Sequence, residues 1–177
     1  MAIKPRDPLL GAGKVMTVLL TALTSLVSAL LLALIPVVLF NQEDFAASIE
    51  LANGANVSTA LAATIALLLI AAAITAMAAY FFQLLRRIID TVGNHDPFTT
   101  ENAGRLSRMG WIALIFQIAT IPVGGLILFL AHNVPAENLK IDYDFSLTGL
   151  LLAVVLFILA RVFRHGAEMR EDLEGTV

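Results

Sequence analysis

Four long apolar stretches, separated by short polar segments, constrain the fold of this chain more than any other feature of its sequence. They run over about residues 15–40, 57–85, 109–131 and 143–163. A helix of about 20 apolar residues is long enough to cross the hydrocarbon layer of a membrane. The fourth stretch reaches that length if the head of Arg161 extends towards the lipid head groups. The sequence therefore predicts an all-α polytopic membrane protein with four transmembrane helices in an up-down bundle.

The composition supports the same class of protein. The chain has 177 residues, of which 59% are hydrophobic and 14% are charged, and its mean hydropathy is +0.87. A soluble domain is about 25% charged. The uncharged part of the first stretch, 26 residues from Val15 to Phe40, is longer than the apolar region of a cleaved signal peptide. We therefore expect an uncleaved anchor and a single membrane domain over residues 1–177.

Basic residues lie almost entirely in alternate polar segments. All but one of the 11 lie before the first stretch, between the second and third, or at the end of the fourth: Lys4, Arg6, Lys14, Arg86, Arg87, Arg105, Arg108, Arg161, Arg164 and Arg170. The two remaining loops contain only Lys140. Because lysine and arginine concentrate on the cytoplasmic side of membrane proteins, we expect both termini and the segment between the second and third stretches to be cytoplasmic.

The uncharged cores of the stretches contain small and weakly polar residues. Threonine, serine and alanine recur at helical spacing, which favours close helix packing, with a polar lining of a conduit as the alternative. We expect Gln117 to form an interhelical hydrogen bond. Pro36 and Pro122 predict kinks, which are common in membrane helices and could also open a crevice. The absence of ionisable residues from these cores argues against an ion-coupled pump.

The polar segment between the second and third stretches, residues 86–108, is called the hub here. The pattern predicts that the second helix continues to a stop at Gly93. Thr99 or Thr100 would cap the third helix, and Thr99 with Asn102 would form a partial capping box. Phe98, just before the cap, is expected to pack on Ala103 or against the membrane surface. His95 and Asp96 could suggest a metal or acid–base site, but a capped connector explains them as well.

The tail, residues 164–177, is basic where it leaves the membrane and acidic further on. Arg161, Arg164 and His165 could contact lipid phosphates. The acids that follow are predicted to pair with Arg105 or Arg108 of the hub. The hub and the tail would then form one cytoplasmic surface.

Two motifs resemble those of a known family. The first consists of Asp96, Pro97, Phe98, Asn102, Arg105, Leu106, Gly110 and Trp111, and the second of Val162, Phe163, Arg164, Gly166, Ala167, Glu168, Met169, Asp172 and Leu173, with Thr176 and Val177 at the end. Together they resemble the bacterial YoaS-like family, a domain-of-unknown-function family of small four-helix inner-membrane proteins. Because its members often neighbour a small helix-turn-helix transcription regulator, the resemblance implies a regulatory or sensing membrane protein.

These observations favour a regulatory or interaction protein whose cytoplasmic loop and tail bind a soluble partner such as a transcription regulator. The candidate interaction residues are Asp96, Pro97, Phe98, Asn102, Arg105, Arg108, Trp111, Arg164, Glu168 and Asp172. The alternative is a small transporter or channel for a neutral or lipid-like solute. The expected partners are the lipid bilayer, the soluble protein and further copies of the chain. We expect neither an enzyme nor direct binding of nucleic acid, and no catalytic, cofactor-binding or metal-binding residues.

Overall fold

The computed structural model describes residues 8–44, 47, 57–93, 97–133 and 147–174. Nearly all of these residues are helical, and none of them lies in a strand. The sequence predicts this, because each apolar stretch is long and uncharged.

Four helices account for the described part of the chain. They are α1 (Pro8–Phe40), α2 (Val57–Gly93), α3 (Thr100–Asn133) and α4 (Leu147–Glu174). All four are long and apolar enough to cross a membrane, so the predicted all-α class with four spanning helices is confirmed.

Each helix continues beyond the apolar stretch that predicts it. The helix α2 ends at Gly93, the predicted stop, and α3 begins at Thr100, so most of the hub is helical. The helix α4 extends from the fourth stretch through most of the tail. Pro36 and Pro122 both lie inside helices that continue past them. Residues 143–146 of the fourth predicted span lie outside the described residues.

The helices contribute to two compact units. The first contains α1 up to Thr24, α2 from Met77, α3 up to Ile115 and all of α4. The second contains α1 from Ser25, α2 up to Ala76 and α3 from Phe116. The expectation of one membrane domain over residues 1–177 stays a prediction.

Small side chains allow close packing in the first unit. Ala103 of α3 and Ala153 and Ala160 of α4 are buried. A Cβ added at Gly110 of α3 would lie 3.0 Å from the ring of Phe157 on α4. Glycine and alanine at such positions let helix backbones approach closely where the hydrophobic effect does not drive association.

An ion pair connects α1 to α2 in the same unit. Lys14 Nζ lies 2.7 Å from Asp90 Oδ1. Both side chains are partly exposed, so the pair contributes little to stability. A Cβ added at Gly13, beside Lys14, would lie 3.4 Å from Cδ1 of Ile89, the neighbour of Asp90, so the side chain of Ile89 packs close to α1 next to the charge pair.

In the second unit a hydrogen bond joins α1 to α2. The hydroxyl of Ser28 is buried and donates to the carbonyl oxygen of Ala72 at 2.9 Å. Most threonines in the apolar stretches donate instead to a carbonyl three or four residues earlier in their own helix, as Thr64 and Thr75 do. These hydroxyls are satisfied locally. The predicted role of small residues in helix packing is therefore supported here.

Gln117 differs from the expectation for this side chain. It is buried, but its Nε2 has no hydrogen-bond acceptor among the described residues. The predicted interhelical hydrogen bond is therefore not formed by that group in the described part of the chain.

Much of the helix surface is apolar. In the most hydrophobic part of α1 only 6% of the residues are buried, and leucines such as Leu19, Leu23 and Leu26 are exposed. A soluble monomer rarely exposes so much contiguous apolar surface. Such a surface is stable in contact with lipid. These helices therefore belong to a multi-pass membrane protein.

The hydrogen bond from Ser28 makes a measurable prediction. Replacing Ser28 with Ala should lower the free energy of unfolding in detergent by about 0.5–1 kcal/mol, because the bond to α2 is lost. The matched control is Ser25→Ala, which removes an exposed hydroxyl from the same helix. Equal stabilities of the two variants in a denaturant titration would contradict this assignment.

Candidate functional site

The connection from α2 to α3 is held by a helix cap. The backbone N–H of Asn102 donates to Thr99 Oγ1 at 3.1 Å, and the N–H of Ala103 donates to the carbonyl oxygen of Thr99 at 3.1 Å. Thr99 is thus the N-cap of α3, which confirms the prediction from the sequence. His95 and Asp96 lie outside the described residues, so the structure says nothing of their predicted roles.

The side chain of Asn102 forms a buried polar cluster, although its predicted role is in partner binding. It is 0% exposed, and its Nδ2 donates to Thr91 Oγ1 at 2.7 Å and to the carbonyl oxygen of Pro97 at 2.9 Å. Thr91 in turn donates to the carbonyl oxygen of Ile88 at 2.7 Å. One amide group therefore holds the end of α2, the linker and the start of α3 together. Asn102 positions the hub from inside.

Arg105 completes this cluster. Its guanidinium donates to Asn102 Oδ1 at 2.6 Å and to Glu101 Oε2 at 2.9 Å. The Arg105 side chain is only 17% exposed, whereas that of Glu101 is 76% exposed. The positive charge is therefore engaged within α3, and the carboxylate is the outer, accessible end of the pair.

Phe98 connects the hub to α4. Its ring lies 5.1 Å from that of Phe163, centroid to centroid. A Cβ added at Gly166 would lie 2.9 Å from Phe98 Cδ1. From the sequence, Phe98 is expected to pack on Ala103 or against the membrane surface; the structure shows a further contact, with Phe163 and with a glycine one turn beyond it. The missing side chain at Gly166 makes room for the ring.

The predicted pairing of tail acids with hub arginines takes a different form. Arg105 pairs with Glu101 of its own helix, and Glu168 Oε2 lies 3.6 Å from Nδ1 of His165 on α4. The contact between hub and tail that the structure does show is the aromatic one at Phe98. The sequence predicts a contact between the hub and the tail through ion pairs. The contact at Phe98 is apolar.

A groove follows α4 beside this contact. Its volume is about 880 Å³. It is lined by Phe98 and by eight residues of α4: Ile158, Arg161, Val162, Arg164, His165, Gly166, Glu168 and Met169. The wall thus combines apolar side chains with both signs of charge.

The predicted interaction residues fall into three groups. Phe98, Arg164 and Glu168 line the groove, and Pro97, Asn102 and Arg105 form the polar cluster. Arg108, Trp111 and Asp172 are exposed on α3 or α4, with the Trp111 ring against that of Phe157, and the tenth, Asp96, lies outside the described residues.

Residues that the sequence analysis did not select complete the site. Thr91 anchors Asn102, and Phe163 and Gly166 receive Phe98. Phe163 and Gly166 both occur in the tail motif, which is a sequence signal that could have selected them. Thr91 carries no comparable signal.

Comparisons with known proteins identify a family and no characterised relative. Residues 46–177 match a family described as a protein of unknown function (DUF2975). The matched region contains α2, α3 and α4, with the hub and the tail. No curated protein and no solved structure matches the chain.

The buried cluster predicts strong coupling between two side chains. Replacing Asn102 with Ala should lower the free energy of unfolding by about 2 kcal/mol, because Thr91, Pro97 and Arg105 all lose a partner. In a double-mutant cycle with Thr91→Val, the two changes should be non-additive by roughly 1 kcal/mol. Additive effects in a denaturant titration would show that the hydrogen bond between the two side chains contributes nothing.

The glycine under Phe98 predicts opposite outcomes for two alanine substitutions. Gly166→Ala should cost about 1 kcal/mol, because its Cβ would overlap the Phe98 ring. Gly104→Ala should instead stabilise the protein by roughly 0.5–1 kcal/mol, because this helical glycine has nothing within 4 Å of an added Cβ.

A second substitution checks the cause. In a Phe98→Ala background, Gly166→Ala should no longer be destabilising, because the overlapping ring is gone. Thermal unfolding in detergent measures all these variants. If Gly166→Ala were as harmless as Gly104→Ala with Phe98 present, the close contact would be disproved.

Proposed function

The chain belongs to a family of proteins of unknown function, DUF2975, and we propose that it is a regulatory or interaction protein of the bacterial inner membrane. In this proposal both termini and the hub are cytoplasmic. The hub and the tail together bind a soluble protein, such as a helix-turn-helix transcription regulator. The resemblance of the hub and tail motifs to the YoaS-like family supports this choice of partner.

One observation carries the proposal: the contact of Phe98 with Gly166 and Phe163. It joins two polar segments that are far apart in the sequence. The hub alone is a short connector, and the tail alone is the end of a helix. Together they form a surface on which a partner could contact side chains of both segments. A connector between α2 and α3 does not need such a contact with a third helix.

The exposed groups around this contact suit recognition of a protein. Phe98 remains 44% exposed, and Met169 is 53% exposed. Glu101 and Arg108 are exposed on α3. An aromatic anchor surrounded by charges of both signs is typical of protein interfaces. A nucleic-acid surface would be strongly basic instead.

The distribution of lysine and arginine supports the cytoplasmic orientation. The segment before α1's apolar stretch, the hub, and the end of the fourth stretch with the tail carry ten of the 11 basic residues, and such segments are retained in the cytoplasm. A cytoplasmic hub and tail would be accessible to a soluble regulator. The conduit for a neutral or lipid-like solute stays an alternative prediction.

A crosslinking pull-down from native membranes tests the proposal. The parent should capture a DNA-binding regulator, and Arg108→Glu should reduce its recovery at least tenfold by reversing an exposed charge on the proposed surface. Arg108 suits this test better than Arg105, which holds Asn102 and Glu101 in the buried cluster.

The matched control is Arg86→Glu, which makes the same change at an exposed arginine of α2 that is not among the candidate interaction residues. It should retain capture. The proposal fails if the Arg108 variant retains the regulator at the level of the parent. It also fails if the parent brings down only copies of the chain or lipid.

A further inference from the structure

The groove along α4 combines two kinds of surface. Ile158 and Val162 lie one turn apart on α4 and are more than half exposed. Arg161 and Arg164, one turn apart on the same helix, also line the groove. The groove therefore has an apolar surface, formed by Ile158 and Val162, directly beside two positively charged side chains.

These two arginines are available for a ligand. Both are exposed, and neither forms an ion pair within residues 8–44, 57–93, 97–131 and 147–173, where the structure describes side chains. The nearby carboxylate of Glu168 lies against His165 instead. A guanidinium binds phosphate oxygens through two parallel hydrogen bonds, so a pair of free arginines favours a phosphate group.

The position of the groove along α4 indicates the source of that phosphate. The uncharged part of α4, residues 147–160, extends about 21 Å at 1.5 Å per residue. The hydrocarbon layer is about 30 Å thick. The apolar run is shorter than this layer, but Arg161 is the first charged residue after it, and its long side chain can extend to the lipid phosphates while Ile158 lies on its apolar side.

We propose that this groove is a binding site for an anionic phospholipid. The phosphate binds Arg161 and Arg164, and an acyl chain lies along Val162 and Ile158. Glu168 lies one turn beyond Arg164 and repels the phosphate, which places the head group on the side nearer Arg161. The site shares Phe98, Arg164 and Glu168 with the partner-binding surface proposed above, but the argument for a lipid does not depend on a protein partner.

A lipid explains the groove better than a helix of a protein partner. A partner helix would leave the two arginines unpaired unless it supplied acids at the matching spacing. An anionic lipid supplies both the acid and the apolar chain in one molecule. Phospholipid also surrounds the helices of any membrane-spanning protein.

Native mass spectrometry of the full chain in detergent provides the test. Phosphatidylglycerol should bind at least tenfold more tightly than phosphatidylcholine with the same acyl chains. The double variant Arg161→Gln/Arg164→Gln should weaken phosphatidylglycerol binding at least fivefold. The control Arg86→Gln/Arg87→Gln, which removes two exposed arginines from α2, should stay within twofold of the parent.

Two further measurements separate a lipid from other ligands. Glu168→Gln should strengthen phosphatidylglycerol binding about two- to threefold by removing the repulsion. A photoactivatable phosphatidylglycerol should crosslink between Ile158 and Met169. Inorganic phosphate at millimolar concentration should not displace it, because phosphate lacks the acyl chain.

Three results would overturn the site. Equal binding of the two lipids would show that charge does not select the ligand. An equal loss of affinity in the α2 control would show a general surface effect of charge. Displacement by inorganic phosphate would show a simple anion site. Capture of the regulator is measured separately, so either proposal can fail while the other stands.

Discussion

The buried amide of Asn102 is the interaction on which the hub depends. It donates to Thr91 and to the carbonyl oxygen of Pro97 and accepts from Arg105. A buried polar group without a partner costs about 1–3 kcal/mol, so each of these contacts disfavours any other path of the chain between α2 and α3. Phe98 lies between Pro97 and the Thr99 cap, and its direction follows from the same hydrogen bonds. The contact of Phe98 with α4 therefore depends on the polar cluster around Asn102.

The membrane explains the contrast between the interior and the exterior of the helices. Lipid cannot satisfy a polar group, so hydroxyls in the apolar stretches bond to their own helix or, at Ser28, to a neighbouring one. Small residues then supply close packing, as at Gly110 against Phe157. Many large aliphatic side chains, such as Leu19 and Leu151, are exposed on the outside of the helices. Near Arg161 the apolar surface ends and charged groups appear, and here both proposed binding surfaces lie.

The sequence predicts local features of this protein well and non-local contacts poorly. The four helices, the stop at Gly93 and the Thr99 cap each depend on a few consecutive residues, and the structure contains all of them. The contact of Phe98 with Gly166 joins residues 68 positions apart, and no periodicity specifies it. Arg105 illustrates the same difference: a partner on its own helix, Glu101, competes successfully with the distant acids that the sequence analysis favoured. Asn102 was recognised as polar and well placed, but its burial depends on the packing of α2.

The contact between the hub and α4 can be tested directly because the chain has no cysteine. The Cβ of Phe98 lies 3.5 Å from the position of a Cβ at Gly166, a separation that suits a disulfide. The double variant Phe98→Cys/Gly166→Cys should therefore form an intramolecular disulfide on mild oxidation in native membranes, detected by mass spectrometry of the linked peptides. The control pair Phe98→Cys/Glu171→Cys should remain reduced under the same conditions. If the first pair stayed reduced although both thiols reacted with maleimide, the hub and the tail would not form the single surface described above.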